Sequence, residues 1–160
     1  MSERLINYKA SITGQKFHRS KAFVRGIMGP FGSGKSVAMC WEIFMKAKQQ
    51  EKGPDGKRRT RWIVARNTQP QLETTTINTW LDWFPEHIFG KMSRKPPFTH
   101  HVKFGDVEME VIFLALDKPD DVKKLLSLEV TGCFFNEARE MDYSIIAGAT
   151  GRVGRYPSSK

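Results

Sequence analysis

The sequence has few cysteines and no long apolar run. Cys40 and Cys133 are the only two cysteines, and their spacing offers no zinc site. Each falls inside a predicted helix or strand, so we expect both to be buried free thiols in a reducing compartment. No apolar run approaches the roughly 20 residues that a membrane span requires. Residues 1–5 lack the apolar core of a signal peptide, and we therefore expect no association with a membrane.

Acidic residues are outnumbered by basic ones. The chain has 26 lysines and arginines against 17 aspartates and glutamates, a formal net charge of +9. This excess favours an anionic partner such as nucleic acid, because basic side chains are attracted to phosphates. A charge excess that only keeps the protein soluble is an equally open alternative. The length of 160 residues, with 39% hydrophobic and 27% charged residues, is typical of a single globular domain.

One stretch carries a complete phosphate-binding pattern. It reads G-x-x-x-x-G-K-S and consists of Gly29, Pro30, Phe31, Gly32, Ser33, Gly34, Lys35 and Ser36. The apolar residues 22–28 before it predict a buried strand, and residues 37–50 after it predict a helix with one apolar face. Strand, glycine-rich turn and helix are the context in which this pattern binds phosphate. The alternative is a glycine-rich turn that precedes a helix by chance.

The residue types in this loop suit a nucleoside triphosphate. Backbone N–H groups of such a loop point inward at phosphate oxygens, and the positive end of the helix dipole adds to their field. Lys35 is expected to reach the β- and γ-phosphates, and the Ser36 hydroxyl to bind Mg²⁺. Gly32 and Gly34 permit backbone angles and close approaches that a Cβ would block.

The rest of the chain reads as alternating strands and helices. Strands are predicted at residues 61–66 and 130–135, a hairpin over residues 102–116, and helices from residues 68 and 117. This alternation is typical of a parallel α/β sheet, whose strands end at a ligand crevice. Arg66 ends the first of these strands and is a candidate phosphate-binding or sensor arginine, with a surface ion pair as the alternative. In the segment before residue 22, Gln15 and Phe17 are candidates to contact a base, although a surface arm is the simpler interpretation.

A second informative stretch is the apolar run that ends in Asn136 and Glu137. A phosphate-loop NTPase needs polar groups at the end of a strand beside the loop, one to support Mg²⁺ and one to polarise the attacking water. Glu137 is predicted to be the general base that positions the water. Asn136 occupies the metal-supporting position, where a neutral amide supports the metal less strongly than an aspartate. The alternative is an ordinary strand end.

Three arginines follow this strand end. Arginine stabilises the charge that develops on a transferred phosphoryl group in many NTPases. Arg139, Arg152 and Arg155 are therefore candidates for that role, and spacing alone does not rank them. Each of them is also compatible with an ordinary surface position.

Several segments together resemble the N-terminal ATPase region of the large terminase subunit of tailed bacteriophages. The similarity extends over residues 20–157 and is carried by residues 29–36, Arg66-Asn67-Thr68 with Leu72 and residues 74–80, Thr131-Gly132 with residues 136–140, and residues 151–157. Proteins of this family are genome-packaging motors that combine an ATPase of the additional-strand catalytic glutamate class with a C-terminal nuclease.

The resemblance implies a fold and a set of roles. The expected fold is an α/β phosphate-loop NTPase, a three-layer sandwich around a mostly parallel sheet over residues 22–160, preceded by an arm at residues 1–21. Residues 29–36 correspond to the Walker A loop and Asn136-Glu137 to the end of the Walker B strand, with Glu137 catalytic. Thr150 resembles the coupling motif that links hydrolysis to movement. ATP and Mg²⁺ are the implied cofactors.

The resemblance also implies partners and a reaction. ATP hydrolysis would drive double-stranded DNA into a procapsid in the host cytoplasm, with the portal protein, the small terminase subunit and a ring of identical subunits as partners. The nuclease would follow residue 160, so we expect a fragment or a truncated product that lacks the last strands of the sheet. The alternatives are a helicase or other phosphate-loop ATPase, and a non-catalytic nucleotide- or DNA-binding fragment. A small-molecule kinase is less favoured, because Asn136-Glu137 suits the activation of water.

Overall fold

A five-stranded sheet forms the centre of the computed structural model, which describes residues 7–158. Its strands are β1 (Arg58–Arg66), β2 (Met92–Ser93), β3 (Phe98–Phe104), β4 (Val107–Ala115) and β5 (Gly132–Phe135). They lie in the order β2-β3-β4-β1-β5. Strand β1 runs parallel to β4 and β5, whereas β2 and β3 are antiparallel additions at one side. The predicted parallel pairing and the hairpin between β3 and β4 are confirmed.

Helices connect these strands. They are α1 (Ile12–Arg19), α2 (Lys35–Gln49), α3 (Gln69–Gln71), α4 (Asn78–Trp83), α5 (Glu86–Phe89), α6 (Pro119–Ser127) and α7 (Tyr143–Thr150). A π-helical segment, Leu72–Ile77, joins α3 to α4, and a 3₁₀ turn, Ala138–Glu140, follows β5. The helices predicted after residues 36, 68 and 117 are confirmed, whereas α1, α5, α7 and β2 were not predicted. Within residues 7–158, no helix is both long and apolar enough to cross a membrane.

Two apolar cores lie on opposite faces of the sheet. Trp62 and Val64 of β1 face the core that contains residues of α2 and α4. Ile63 and Ala65 face the second core, with residues of α6 and α7. Successive residues of a strand point to opposite faces, so an uninterrupted apolar run needs helices on both sides. The predicted three-layer sandwich is therefore confirmed.

The predicted strand at residues 22–28 is wrong. This segment has no regular structure in the described chain, and Phe23, Val24 and Met28 are 69%, 67% and 92% exposed. Arg25 fixes it instead, donating a hydrogen bond to the Phe17 carbonyl at 3.0 Å. A strand is stabilised by the backbone of its neighbours, and an apolar composition does not supply a neighbour. The segment pairs with no strand of residues 7–158.

The N-terminal segment packs against α2 through a buried ionic cluster. Glu42 of α2 is only 2% exposed and pairs with His18 Nδ1 at 2.6 Å and with Arg25 at 2.7 Å. The Tyr8 hydroxyl in turn lies 2.8 Å from His18 Nε2. A buried carboxylate needs such partners, since an unpaired one would lose its hydration without compensation. Helix α1 is thus fixed to the helix that follows the phosphate-binding loop.

Both cysteines are free thiols. Cys40 lies in α2 and is fully buried, whereas Cys133 in β5 is partly buried. Burial raises the pKa of each thiol to about 12, because a thiolate is disfavoured in an apolar environment. Their predicted placement in a helix and a strand is confirmed.

His100 forms a buried polar link in the first core. Its Nδ1 accepts a hydrogen bond from Trp80 Nε1 at 2.8 Å, and its Nε2 donates to the Gly90 carbonyl at 2.6 Å. The side chain is fully buried, and this burial lowers the pKa of His100 below its ordinary value. The neutral imidazole therefore satisfies both nitrogens, whereas a second proton would face the indole N–H.

Acidification is expected to destabilise the fold through His100. Its pKa is lower in the folded than in the unfolded chain, so below about pH 6.5 the unfolded chain binds more protons. The free energy of unfolding should therefore fall as the pH decreases from about 7.5 to about 5.5, and His100→Gln should make this fall smaller. Urea denaturation at several pH values measures it. His101→Gln, at the exposed neighbouring position, is the control and should change the pH dependence less than His100→Gln does; an unchanged slope in His100→Gln would contradict the explanation.

Candidate nucleotide-binding site

The glycine-rich loop at residues 29–36 has the turn and the following helix that its sequence predicts, although no strand precedes it in the described chain. Gly32 and Gly34 adopt left-handed conformations, with φ of 73° and 79°, which side chains with a Cβ rarely adopt. Gly34 caps α2 and provides no side-chain hydrogen bond, and the first turn of α2 contains no acidic residue. The N–H groups of that turn therefore have no partner inside the helix and are available to an anion. Phe31 at the tip of the loop is 92% exposed.

Lys35 folds back over its own loop. Its ammonium donates to the carbonyl of Gly29 at 2.6 Å and to that of Pro30 at 2.8 Å, and lies 3.4 Å from the Ser33 hydroxyl. All three partners are acceptors on the loop itself, and none of them is anionic. A phosphate oxygen is a stronger, charge-assisted partner for an ammonium group. The loop therefore has unpaired N–H groups for a phosphate. It also has the ammonium group of Lys35, which can exchange its neutral partners for a phosphate oxygen.

Helix α2 runs along β1 in the direction opposite to the strand. The far end of α2 is fixed beside the start of β1, because Arg58 donates to the Gln50 carbonyl. From there α2 packs back over β1, with Cys40 and Ile43 in the same core as Val64. Helix α2 is about 22 Å long and β1 about 30 Å by their residue spacings. The packing therefore directs the start of α2, and with it the loop, toward the end of β1 that carries Arg66.

Asn136 and Glu137 leave the sheet directly after β5. The Asn136 N–H donates to the Ala65 carbonyl at 2.9 Å, which continues the pairing with β1. Its side-chain amide donates to the hydroxyl of Thr76 at 2.9 Å. Glu137 is the one residue other than glycine with positive φ in the described chain, at 56°. Such a conformation is unfavourable for a residue with a Cβ and is found most often where function requires it.

Glu137 is held by Arg139. The Arg139 Nε lies 3.3 Å from a Glu137 carboxylate oxygen, and the side chains of Arg139 and Glu137 are 75% and 22% exposed. The structure therefore brings together Glu137 and one of the three candidate arginines. At this exposure the pair contributes little to stability, about 1 kcal/mol at most, so Arg139 is free to exchange Glu137 for another anion.

Arg66 lies at the same edge and has an incomplete set of partners. It ends β1, and its side chain is 13% exposed. Its Nε is buried without a hydrogen-bond partner, and the Glu140 carboxylate lies 3.9 Å away. A buried donor without a hydrogen-bond partner lowers the stability of the folded chain. This cost is consistent with a guanidinium group that binds an anion when one is present.

The structure does not bring Arg152 or Arg155 to Glu137. The Arg152 carbonyl accepts from the Val130 N–H at 3.1 Å, and the Arg155 N–H donates to the Val130 carbonyl at 3.2 Å. Val130 precedes β5, whereas Glu137 follows it, and an extended chain from one to the other spans about 20 Å. Within one chain the geometry separates Arg152 and Arg155 from Glu137, because residues after α7 return to the opposite end of β5.

The residues present fit a Mg²⁺–nucleotide complex. Ser36 lies in the first turn of α2, and its hydroxyl makes no hydrogen bond to another side chain or carbonyl of residues 7–158. The Asn136 carbonyl oxygen is the atom of its amide that does not contact Thr76. Hydroxyl and amide oxygens are suitable ligands for Mg²⁺, which usually keeps several waters and binds few protein groups directly. Within the described chain no group of three or more His, Cys, Asp or Glu side chains is placed to hold a metal.

Comparisons with known proteins support the fold. No family model and no curated protein matches the sequence. Solved structures of the large terminase from a thermophilic bacteriophage are similar, at 17% identity and a TM-score of 0.63 over 91% of this chain in one crystal form. The same terminase in complex with ADP gives 16% identity and a TM-score of 0.60 over 79% of this chain. Its complex with ATP-γ-S gives 16% identity and a TM-score of 0.59 over 81%.

These similarities cover 35%, 29% and 29% of the three terminase chains, so this chain spans about a third of their length. At such low identity the comparison concerns the fold. The mixed α/β architecture of residues 7–158, with parallel strands at the centre of its sheet, is that of part of these large terminase structures.

Proposed function

We propose that this chain is the ATPase part of a viral DNA-packaging motor, which hydrolyses ATP to move double-stranded DNA into a procapsid. The observation that carries the proposal is the backbone of two segments: the left-handed Gly32 and Gly34 directly before α2, and the positive φ of Glu137 directly after β5. The similar terminase structures, two of them in complex with ADP or ATP-γ-S, support nucleotide binding by this fold.

Each residue of the proposed site has a separate role in the reaction. The N–H groups of the loop and of the first turn of α2 bind the phosphates, and Lys35 leaves the Gly29 and Pro30 carbonyls for the β- and γ-phosphates. Ser36 and Asn136 support Mg²⁺, which when bound neutralises charge on the phosphate oxygens. Glu137 accepts a hydrogen bond from the attacking water and orients it.

Arginines complete the site in two different ways. Arg66 and Arg139 lie at the nucleotide edge and bind phosphate oxygens within one chain. Arg152 and Arg155 lie at the opposite end of β5 and act only on the nucleotide of a neighbouring subunit, as the arginine finger of a ring. Packaging therefore requires a homo-oligomer, with the portal protein and the small terminase subunit as further partners.

Double-stranded DNA is the polyanion that the net charge of +9 attracts. The arginines at the start of β1 already have carboxylate partners, Arg58 with Asp106 at 2.9 Å and Arg59 with Glu108 at 3.3 Å. Exposed cations with no ion pair inside residues 7–158 include Lys16, Arg19 and Lys21. Contacts of these side chains with phosphates would be independent of base sequence and sensitive to salt.

An ATPase assay tests this function. We expect Mg²⁺-dependent ATP hydrolysis by the 160-residue chain that rises when the protein is combined with procapsids carrying a portal and with duplex DNA. The control is the same assay with portal-free capsids. Hydrolysis stimulated equally by single-stranded DNA with duplex unwinding would instead indicate the helicase alternative. Nucleotide binding without any hydrolysis under all of these conditions would favour the non-catalytic alternative.

A further inference from the structure

The side chain of Asn136 is fixed by a residue far away in the sequence. Its Nδ2 donates to the Thr76 hydroxyl at 2.9 Å, and Thr76 is only 2% exposed. Thr76 belongs to the π-helical segment Leu72–Ile77 between α3 and α4. This contact connects a helix on one face of the sheet with the end of β5.

Thr76 differs from the two threonines beside it. The hydroxyls of Thr74 and Thr75 bind back to the carbonyls of Pro70 and Gln71 within the helix, the usual local partner of a helical threonine. The hydroxyl of Thr76 instead accepts from Asn136. Single π-helical turns within α-helices are rare and frequent at functional sites. The segment therefore presents one hydroxyl to the end of β5.

An asparagine at this position needs an orienting partner, whereas an aspartate does not. Both oxygens of a carboxylate accept hydrogen bonds and bind cations, but an amide has one acceptor and one donor group. If the side-chain amide were rotated by about 180°, its NH₂ group would face the Mg²⁺ ion in place of its oxygen. In the arrangement observed, the Thr76 hydroxyl accepts from Nδ2, which leaves Oδ1 directed away from Thr76.

We infer that Thr76 is a positioning residue that directs the Asn136 carbonyl oxygen toward Mg²⁺ at the nucleotide site. The inference rests on the proposed function, because it assumes that a Mg²⁺–nucleotide complex binds at this edge. It also explains how a chain with Asn136 in place of the usual aspartate retains a metal-supporting group: the hydrogen bond with Thr76 orients the single acceptor oxygen of the amide, whereas either oxygen of a carboxylate binds a cation.

Two variants of Thr76 distinguish a role in orienting the Asn136 amide from a role in packing alone. Thr76→Val keeps the shape and removes the hydroxyl, and Thr76→Ser keeps the hydroxyl and removes a methyl group. We expect Thr76→Val to raise the Mg²⁺ concentration that half-saturates binding of a fluorescent ADP analogue about 10-fold, since outer-shell partners typically contribute about 10–100-fold to metal affinity. Affinity for the same analogue in EDTA should stay the same, and Thr76→Ser should behave like the wild type. In an Asn136→Asp background, Thr76→Val should have little effect on this Mg²⁺ concentration, because either carboxylate oxygen can bind the metal.

A second measurement needs no nucleotide. The ¹⁵N-labelled side-chain amide of Asn136 should change its chemical shifts and exchange faster with water in Thr76→Val but not in Thr76→Ser. An unchanged amide signal, or equal Mg²⁺ dependence in Thr76→Val and the wild type, would overturn the role of Thr76 alone. A wild-type chain that binds the ADP analogue equally well with Mg²⁺ and with EDTA would overturn this inference and the proposed metal site together.

Discussion

Lys35→Ala is expected to abolish ATP hydrolysis and to weaken ATP binding by about 10-fold or more. The substitution removes the only side-chain cation of the loop at residues 29–36. A charge-assisted contact to phosphate contributes more than a neutral hydrogen bond, and a factor of 10 in affinity corresponds to about 1.4 kcal/mol. Because Lys35 also faces charge that develops during the transfer, turnover should fall by a further factor of about 10² to 10³.

The fold should tolerate this change. The partners of Lys35 are exposed loop carbonyls and the Ser33 hydroxyl, and water replaces such partners at little cost. Lys48→Ala is the matched control, since it removes the same charge from the other end of α2, where Lys48 is exposed. We expect that variant to bind and hydrolyse ATP like the wild type. Equal turnover in Lys35→Ala and Lys48→Ala would refute the assignment of the loop.

Glu137→Gln is expected to separate binding from hydrolysis. A glutamine keeps the size and the hydrogen-bonding reach of Glu137 but cannot accept a proton from water. General-base contributions are typically about 10² to 10⁴-fold, so we expect turnover to fall by about that factor. ATP affinity should stay close to that of the wild type, because binding depends on the loop and α2. Hydrolysis is measured as phosphate release and binding by titration with ATP-γ-S.

A matched carboxylate is available at the other end of the same strand. Glu129 is exposed and lies before β5, so Glu129→Gln changes the charge equally without touching the nucleotide edge. It should leave turnover unchanged. Loss of the ion pair with Arg139 is not expected to unfold Glu137→Gln, since Arg139 is 75% exposed and such pairs contribute about 1 kcal/mol or less. If both variants lost activity equally, Glu137 would have no specific role.

The loop and the end of β5 could be predicted because their signals are local. The glycines at positions 32 and 34, with Lys35 and Ser36 after them, encode a turn and a helix start within a few residues. The change from Phe135 to Asn136 marks the end of a buried strand in the same way. Parallel strands end at one edge of a sheet, so the predicted order of strands was enough to bring Arg66 and Asn136 to the same side.

Features that depend on distant partners could not be predicted. Residues 22–28 have the composition of a strand, but a strand exists only beside another backbone, and none lies there in the described chain. The position of Arg152 depends on an isolated bridge between Val130 and Val153, which sequence spacing does not encode. The same holds for the contact of Thr76 with Asn136 and for the π-helical turn that contains Thr76.

The sequence contains a local signal for the start of helix α1. Ser11 precedes the helix, and its hydroxyl accepts from the Gly14 N–H, as expected of a residue that caps a helix N-terminus. The ionic cluster of His18, Arg25 and Glu42 is different, because Glu42 lies in the next helix and its burial follows only from the packing of α1 on α2.

The most direct test of the central claim is an equilibrium titration of Mg²⁺ and ATP-γ-S into three proteins side by side: the wild type, Lys35→Ala and Glu137→Gln. If residues 29–36 bind the phosphates and Glu137 acts only on water, the wild type and Glu137→Gln should bind with closely similar affinity, and Lys35→Ala should bind about 10-fold more weakly or worse. Wild-type affinity in Lys35→Ala would contradict the claim that this loop is the nucleotide site.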